Sequence, residues 1–181
     1  MQITESQTYP PHSIIAKGLS GPIHYIDSFG ITIPEGREDS IDYLTTRLFL
    51  SVPGWAKVLL ELRDKIVGPL GLATGDSLEP GARNMDINAV DPGIRYAPGD
   101  RAVFFSVVDR TEDEVVMGED DKHLYFRTSL CRGEETPQGI PLHLTTLVQF
   151  HNIWGRVYFA PVKLFHRLLM VALLKNFRKS L

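Results

Sequence analysis

The sequence predicts an α+β fold: a curved antiparallel sheet around a long C-terminal helix, with two short helices after the first strand. Three observations predict it. Most of the second half consists of period-two apolar runs separated by short polar turns. Two stretches of helical spacing follow the first such run. The chain then closes on a mostly apolar segment long enough to cover a sheet face.

The first strand is expected over Ile23–Ile33, where Ile23, Tyr25, Phe29, Ile31 and Ile33 recur every second residue. Pro34 and Gly36 end it. Ser40 then stands as a helix N-cap ahead of Ile41, Leu44 and Leu48. A second helix is expected after Pro53. Trp55, Val58, Leu59, Leu62 and Ile66 form one stripe there, stopped by Gly68-Pro69.

Residues 72–101 read as a long irregular connection punctuated by Gly and Pro, with a short strand near Met85–Val90. Strands follow at Ala102–Asp109, Glu114–Gly118, His123–Cys131 and Leu142–His151. Their short loops imply antiparallel neighbours.

Register follows from the pleat, because a one-residue slip turns a core face outward. The even positions of the last two strands are mostly apolar. Leu124 is therefore set opposite Phe150, Phe126 opposite Val148, Thr128 opposite Thr146, and Leu130 opposite Leu144. The same argument brings Met117 near Leu124 and Val115 near Phe126. The cover for this face is a helix from Trp154 to about Lys179, with Leu164, Phe165, Leu168, Leu169, Ala172, Leu173 and Phe177 expected on the sheet. Pro161 marks its first turn or a kink.

Composition bounds the rest. At 181 residues, with 43% hydrophobic and 23% charged, the chain has the size and make-up of one globular domain, taken as 1–181 with 1–12 carrying little order. A net charge of −3 argues against a general nucleic-acid partner. The single cysteine, Cys131, makes an internal disulfide impossible and reads as a small buried side chain. With no signal-like N-terminus, this suggests a reducing cytoplasm. The apolar run Leu164–Leu174 is shorter than the roughly 20 residues a membrane span needs, so it reads as a buried helix with no membrane partner.

The element order is that of the helix-grip fold shared by START, polyketide-cyclase and Bet v 1-like proteins. Three blocks carry a narrower resemblance: Val116–Arg127, Val148–Phe159 and Pro161–Arg167. They resemble an uncharacterised bacterial domain family placed among helix-grip proteins, whose members are sometimes fused behind a nucleotide-binding dehydrogenase-like domain. The resemblance covers about residues 100–175 well and the earlier part loosely. It implies the fold and no reaction, and no dehydrogenase-like segment occurs in this sequence.

Such a fold leaves a hollow between sheet and helix, a usual place for a small apolar ligand. Its wall is expected from Phe126, Thr128, Thr146, Val148 and Phe150 on the sheet. Trp154, Tyr158, Phe165, His166 and Leu169 would contribute from the helix. On the opposite sheet face the register sets His123 against His151, beside Tyr125, Arg127 and Gln149. Two histidines near Glu119 or Asp121 could hold a metal or relay a proton, whereas hairpin-end residues on a convex side would only meet water. Adjacent Asp120 and Asp121 diverge in an extended chain, so they read as turn formers rather than a dyad.

His166 either orients a polar group of a ligand or sits at a helix edge. Sequence strings for nucleotide, metal or serine chemistry are absent, and no cofactor or metal is expected. Three functions are compatible with these features. One is a module binding a small apolar molecule. Another is a cyclase, isomerase or hydrolase using His123, His151 or His166 as acid or base. The third is a homodimerising domain.

Overall fold

A computed structural model of the chain describes residues 3–37, 39–56 and 86–181. Seven strands form one sheet: β1 (Thr4–Ser6), β2 (Tyr25–Ile33), β3 (Arg101–Ala102), β4 (Phe105–Arg110), β5 (Glu114–Asp120), β6 (Leu124–Arg132) and β7 (Ile140–Phe150). Their order is β1-β2-β7-β6-β5-β4-β3, and every pairing is antiparallel. The two longest helices among the described residues are α1 (Ile41–Leu50) and the 28-residue α2 (Ile153–Ser180). This is the α+β arrangement the sequence predicts.

The β6–β7 register is the predicted one, with Leu124 opposite Phe150, Phe126 opposite Val148, Thr128 opposite Thr146 and Leu130 opposite Leu144. The β5–β6 register differs by four residues: Met117 faces Thr128 and Val115 faces Leu130. Hydrophobic parity cannot separate these alternatives, because an even shift keeps every side chain on its face. The turn decides. Asp121 Oδ1 accepts from the backbone amides of His123 at 2.6 Å and Leu124 at 2.9 Å, closing a tight Asx-type reversal that pulls the strands into closer register.

Ala102–Asp109, expected as one strand, is broken. Val103 has φ 59°, and the Phe104 amide donates to the Ala102 carbonyl at 2.7 Å, so the chain reverses between β3 and β4. A strand is expected near Met85–Val90; Met85 lies outside the described residues, and Ile87–Ala89 form a 3-10 turn capped by Asp86. Of the helix expected from Trp55, Gly54–Ala56 are helical, and the rest of the expected stretch lies outside the described residues.

The main core fills the space between the sheet, α1 and α2. Phe29, Leu44, Leu48, Met117, Leu130, Leu142, Leu144, Leu173, Leu174 and Phe177 are all fully or almost fully buried there. Ser40 caps α1, its side chain accepting from the Tyr43 amide at 3.2 Å. α2 lies on the sheet through Phe159, Met170, Leu173, Leu174 and Phe177. Leu164, Phe165 and Leu168, expected on the sheet, point away from it and are 74%, 51% and 58% exposed. The helix has apolar residues on two sides, so periodicity alone did not fix its rotation.

The opposite sheet face is not bare. Ile15 is buried against Val116 and Leu147, with Tyr9, Ile14, Ala16 and Leu19 around it. Polar groups pin this N-terminal strap. Arg127 Nη1 donates to the carbonyls of Ile15 at 2.9 Å and Lys17 at 2.7 Å. Glu114 accepts from Ser13 Oγ and the Ile14 amide, each at 2.6 Å. Gln149 Nε2 lies 3.1–3.3 Å from the carbonyls of Ser20, Gly21 and Pro22. Ahead of the strap, residues expected to carry little order include β1, which pairs along β2.

Candidate functional site

The concave face carries a polar row at its centre. Asp27 on β2 is the register partner of Thr146 on β7, which is the partner of Thr128 on β6. All three are buried, 6%, 7% and 5% exposed. A carboxylate on a buried face is costly unless it is bonded, and Asp27 is. Tyr25 Oη donates to Asp27 Oδ2 at 2.5 Å, and His166 Nε2 from α2 lies 3.2–3.3 Å from both carboxylate oxygens. Among the described residues, neither threonine hydroxyl has a hydrogen-bond partner.

Rings enclose the cluster. Tyr25 meets Phe159 edge-on at 4.9 Å and His166 at 6.1 Å between centroids, and Lys163 Nζ lies 5.3 Å from the Tyr25 ring centre. Phe126 meets Phe105 edge-on at 5.1 Å. Burial first, and then the bond to Asp27, raise the Tyr25 phenol well above its usual pKa, which keeps it a hydrogen-bond donor. The arrangement can orient a polar group of a molecule lying between sheet and helix. The Asp27–His166 pair also has the form of an oriented acid–base group.

The other expected wall residues separate into distinct places. Val148 is buried with Leu124 and Phe159, with Tyr158 against them, and Phe150 lies 5.6 Å from the Phe159 ring. Leu169 packs on the edge of the main core. Trp154 and Phe165 lie on the outer side of α2, 64% and 51% exposed, away from the sheet. On that side is an open groove of about 510 Å³, lined by Trp55, Phe165, Leu168, Val171, Ala172 and Lys175.

His123 and His151 are neighbours in backbone, the His151 amide donating to the His123 carbonyl at 2.9 Å, but their side chains have different partners. His151 Nε2 pairs with exposed Asp120 Oδ1 at 2.6 Å. His123 Nδ1 lies 3.2 Å from Asn152 Oδ1, the oxygen that caps α2 by accepting from the amides of Trp154 and Gly155. The Asn152 contact seats the start of the helix against His123. Among the described residues, no group of three His, Cys, Asp or Glu side chains is placed to hold a metal. Cys131 is fully buried, 3.3 Å from His12 Nε2, and burial pushes its thiol up to about 12, which favours the protonated form.

Asp27 and Tyr25 were not among the sequence-derived candidates. The available signal was a gap in the first strand: the period-two series Ile23, Tyr25, Phe29, Ile31, Ile33 skips residue 27, where an acid occupies a core-facing position.

Fold and cluster together define an α+β sheet-and-helix protein with a polar centre on its inner face. The chain belongs to the family described as protein of unknown function (DUF2867), which it matches over residues 19–173. Searches of curated proteins and of solved structures found no match.

Proposed function

We propose that the chain is a helix-grip, START-like module that holds a small, largely apolar molecule between the sheet and α2, gripping its polar end. The observation that carries this reading is the buried Asp27, met by Tyr25 from its own strand and by His166 from the helix. A carboxylate kept on the inner face is a poor device for stability. It is a good one for recognition, because a buried polar group rejects molecules that fail to satisfy it. The two threonine hydroxyls beside it offer further contacts, and Phe126 and Phe105 supply apolar surface.

Native mass spectrometry of the purified chain tests this. The expected result is a mass excess that disappears on denaturation and yields one extractable small molecule. Thr128→Val/Thr146→Val should keep the fold and weaken affinity for that molecule. No mass excess, together with experimental density showing a fully packed interior, would reject the reading.

A second reading rests on the same pair. With Nε2 held by Asp27, the other ring nitrogen of His166 is left to exchange a proton with a bound substrate, as in a cyclase, isomerase or hydrolase. Chemical change of the extracted molecule on incubation with the native chain, absent with His166→Ala, would favour this enzyme over a carrier.

A further inference from the structure

The outer face of α2 is unlike the rest of the molecule. Trp154, Val157, Pro161, Leu164 and Leu168 follow one another at intervals of three or four, with Phe165 beside Leu164, forming a single stripe. Trp154 is 64% exposed and Leu164 74%. The stripe continues into the groove beside Trp55.

The charge on this helix is one-sided. Within Ile153–Ser180 there are six Lys and Arg and no Asp or Glu, although the whole chain carries −3. Arg156, Lys163 and Arg167, spaced by seven and four, share the edge of the helix between the stripe and the sheet, Arg156 over the Phe150 ring at 5.7 Å and Lys163 over the Tyr25 ring at 5.3 Å, and Lys175 and Lys179 extend the C-terminal end. Arg167 is shared with Glu5 at 2.8 Å, an exposed pair on the β1 side.

We propose that this face docks the protein on an anionic lipid surface, with α2 lying in the plane of the headgroups. An exposed apolar stripe on a helix whose charged residues are all cations, with tryptophan at one end, is the pattern of an interfacial helix. Two alternatives fit less well. α2 is long and apolar enough to cross a membrane by length and composition. Its other side, however, is held to the protein by Phe159, Met170, Leu173, Leu174 and Phe177, so it lies on the surface rather than spanning. A second copy meeting this face through its own α2 would bring cation against cation with no acid on either helix. The inference does not depend on the interior site.

Flotation of the full chain with phosphatidylcholine vesicles, with and without about a third phosphatidylglycerol, tests it. Binding is expected only with the anionic lipid, with a blue shift of Trp154 emission read in a Trp55→Phe background. Leu164→Ser/Leu168→Ser should abolish binding while keeping the circular dichroism of the parent. Lys175→Gln and Lys179→Gln should each weaken it about fivefold. Four results would overturn the proposal: no binding to either vesicle; undiminished binding by Leu164→Ser/Leu168→Ser; a dimer in light scattering that the same variant abolishes; or amide protection over 153–168 as strong in the protein alone as on vesicles. The last would mean that the chain itself already covers the face.

Discussion

His166 and Asp27 are 139 residues apart in sequence, and the imidazole Nε2 of one lies 3.2 Å from the carboxylate of the other, with both side chains nearly buried. The contact joins the middle of α2 to the centre of β2. A buried polar pair of this kind has an asymmetric energetic signature. Removing one partner leaves the other short of a bond, at a cost of about 1–3 kcal/mol. Removing both, for apolar groups of similar size, is often neutral or stabilising. His166→Ala and Asp27→Ala should therefore each lower stability in urea denaturation, and Asp27→Leu/His166→Leu should recover most of the loss. If the double variant is as stable as the parent yet holds no small molecule, the pair serves binding rather than folding. If it is the least stable of the three, the pair is structural.

Asp42 should be the most sensitive surface-to-core link in the first half. It is fully buried in α1 and accepts from Arg110 Nη2 at 3.0 Å, Arg95 Nη1 at 3.3 Å and the Tyr96 amide at 3.0 Å. These bonds fasten the irregular stretch 91–100 to the helix. Among the described residues, Asp42→Ala leaves the largely buried Arg110 guanidinium with only the exposed Glu112 carboxylate, at 3.6 Å, as ionic partner. The expected loss is about 3–5 kcal/mol. Asp42→Asn should cost less by keeping one acceptor for the Tyr96 amide. Hydrogen exchange should show the amides of 91–100 opening in both variants, and unchanged exchange there would refute the assignment.

How much of this was legible beforehand follows the range of the interactions. The β6–β7 register could be read because both strands alternate cleanly and one parity match is best. The β5–β6 register could not, because it depends on the Asp121 turn, a local hydrogen-bond choice invisible to apolar parity. The rotation of α2 was misread for a different reason. Leu164, Phe165 and Leu168 are as apolar as Leu169, Met170 and Leu173, so the pattern itself names no inner face. His166 was a candidate because a polar residue interrupts an apolar run, but its partner lay in the first strand. The strap over Val116 and Leu147 was missed because residues 9–22 carry little periodicity, and their hold comes from Arg127, Glu114 and Gln149 reaching backbone groups a hundred or more residues away.

Gly155 should tolerate no side chain. In most helices alanine is favoured over glycine by about 1 kcal/mol. Here a Cβ would stand 2.2 Å from the His123 carbonyl oxygen and 3.0 Å from its carbon, both backbone atoms. The first turn of α2 is pressed against the start of β6, and neither can yield without losing the Asn152 cap. Gly155→Ala is expected to destabilise by about 2–3 kcal/mol, the overpacking cost exceeding the propensity gain. A rise in the thermal midpoint would show that the helix has room to shift.

Acid should weaken the fold through His143, which sits on β7 opposite Cys131 with His12 nearby. Burial first, and the neighbouring His12 second, hold its imidazole below the ordinary value of 6.5. Above about pH 6.5 the ring is neutral both folded and unfolded, so the site contributes no pH dependence. As pH falls below that value, the unfolded chain takes up a proton that the folded chain resists, and stability drops until the folded ring also titrates. His143→Gln removes the titrating group and should flatten this part of the curve. Urea midpoints at about pH 7.5 and 5.5 give the test. The drop between them should be smaller for His143→Gln than for the parent, and an identical drop in both would assign the acid sensitivity to other groups.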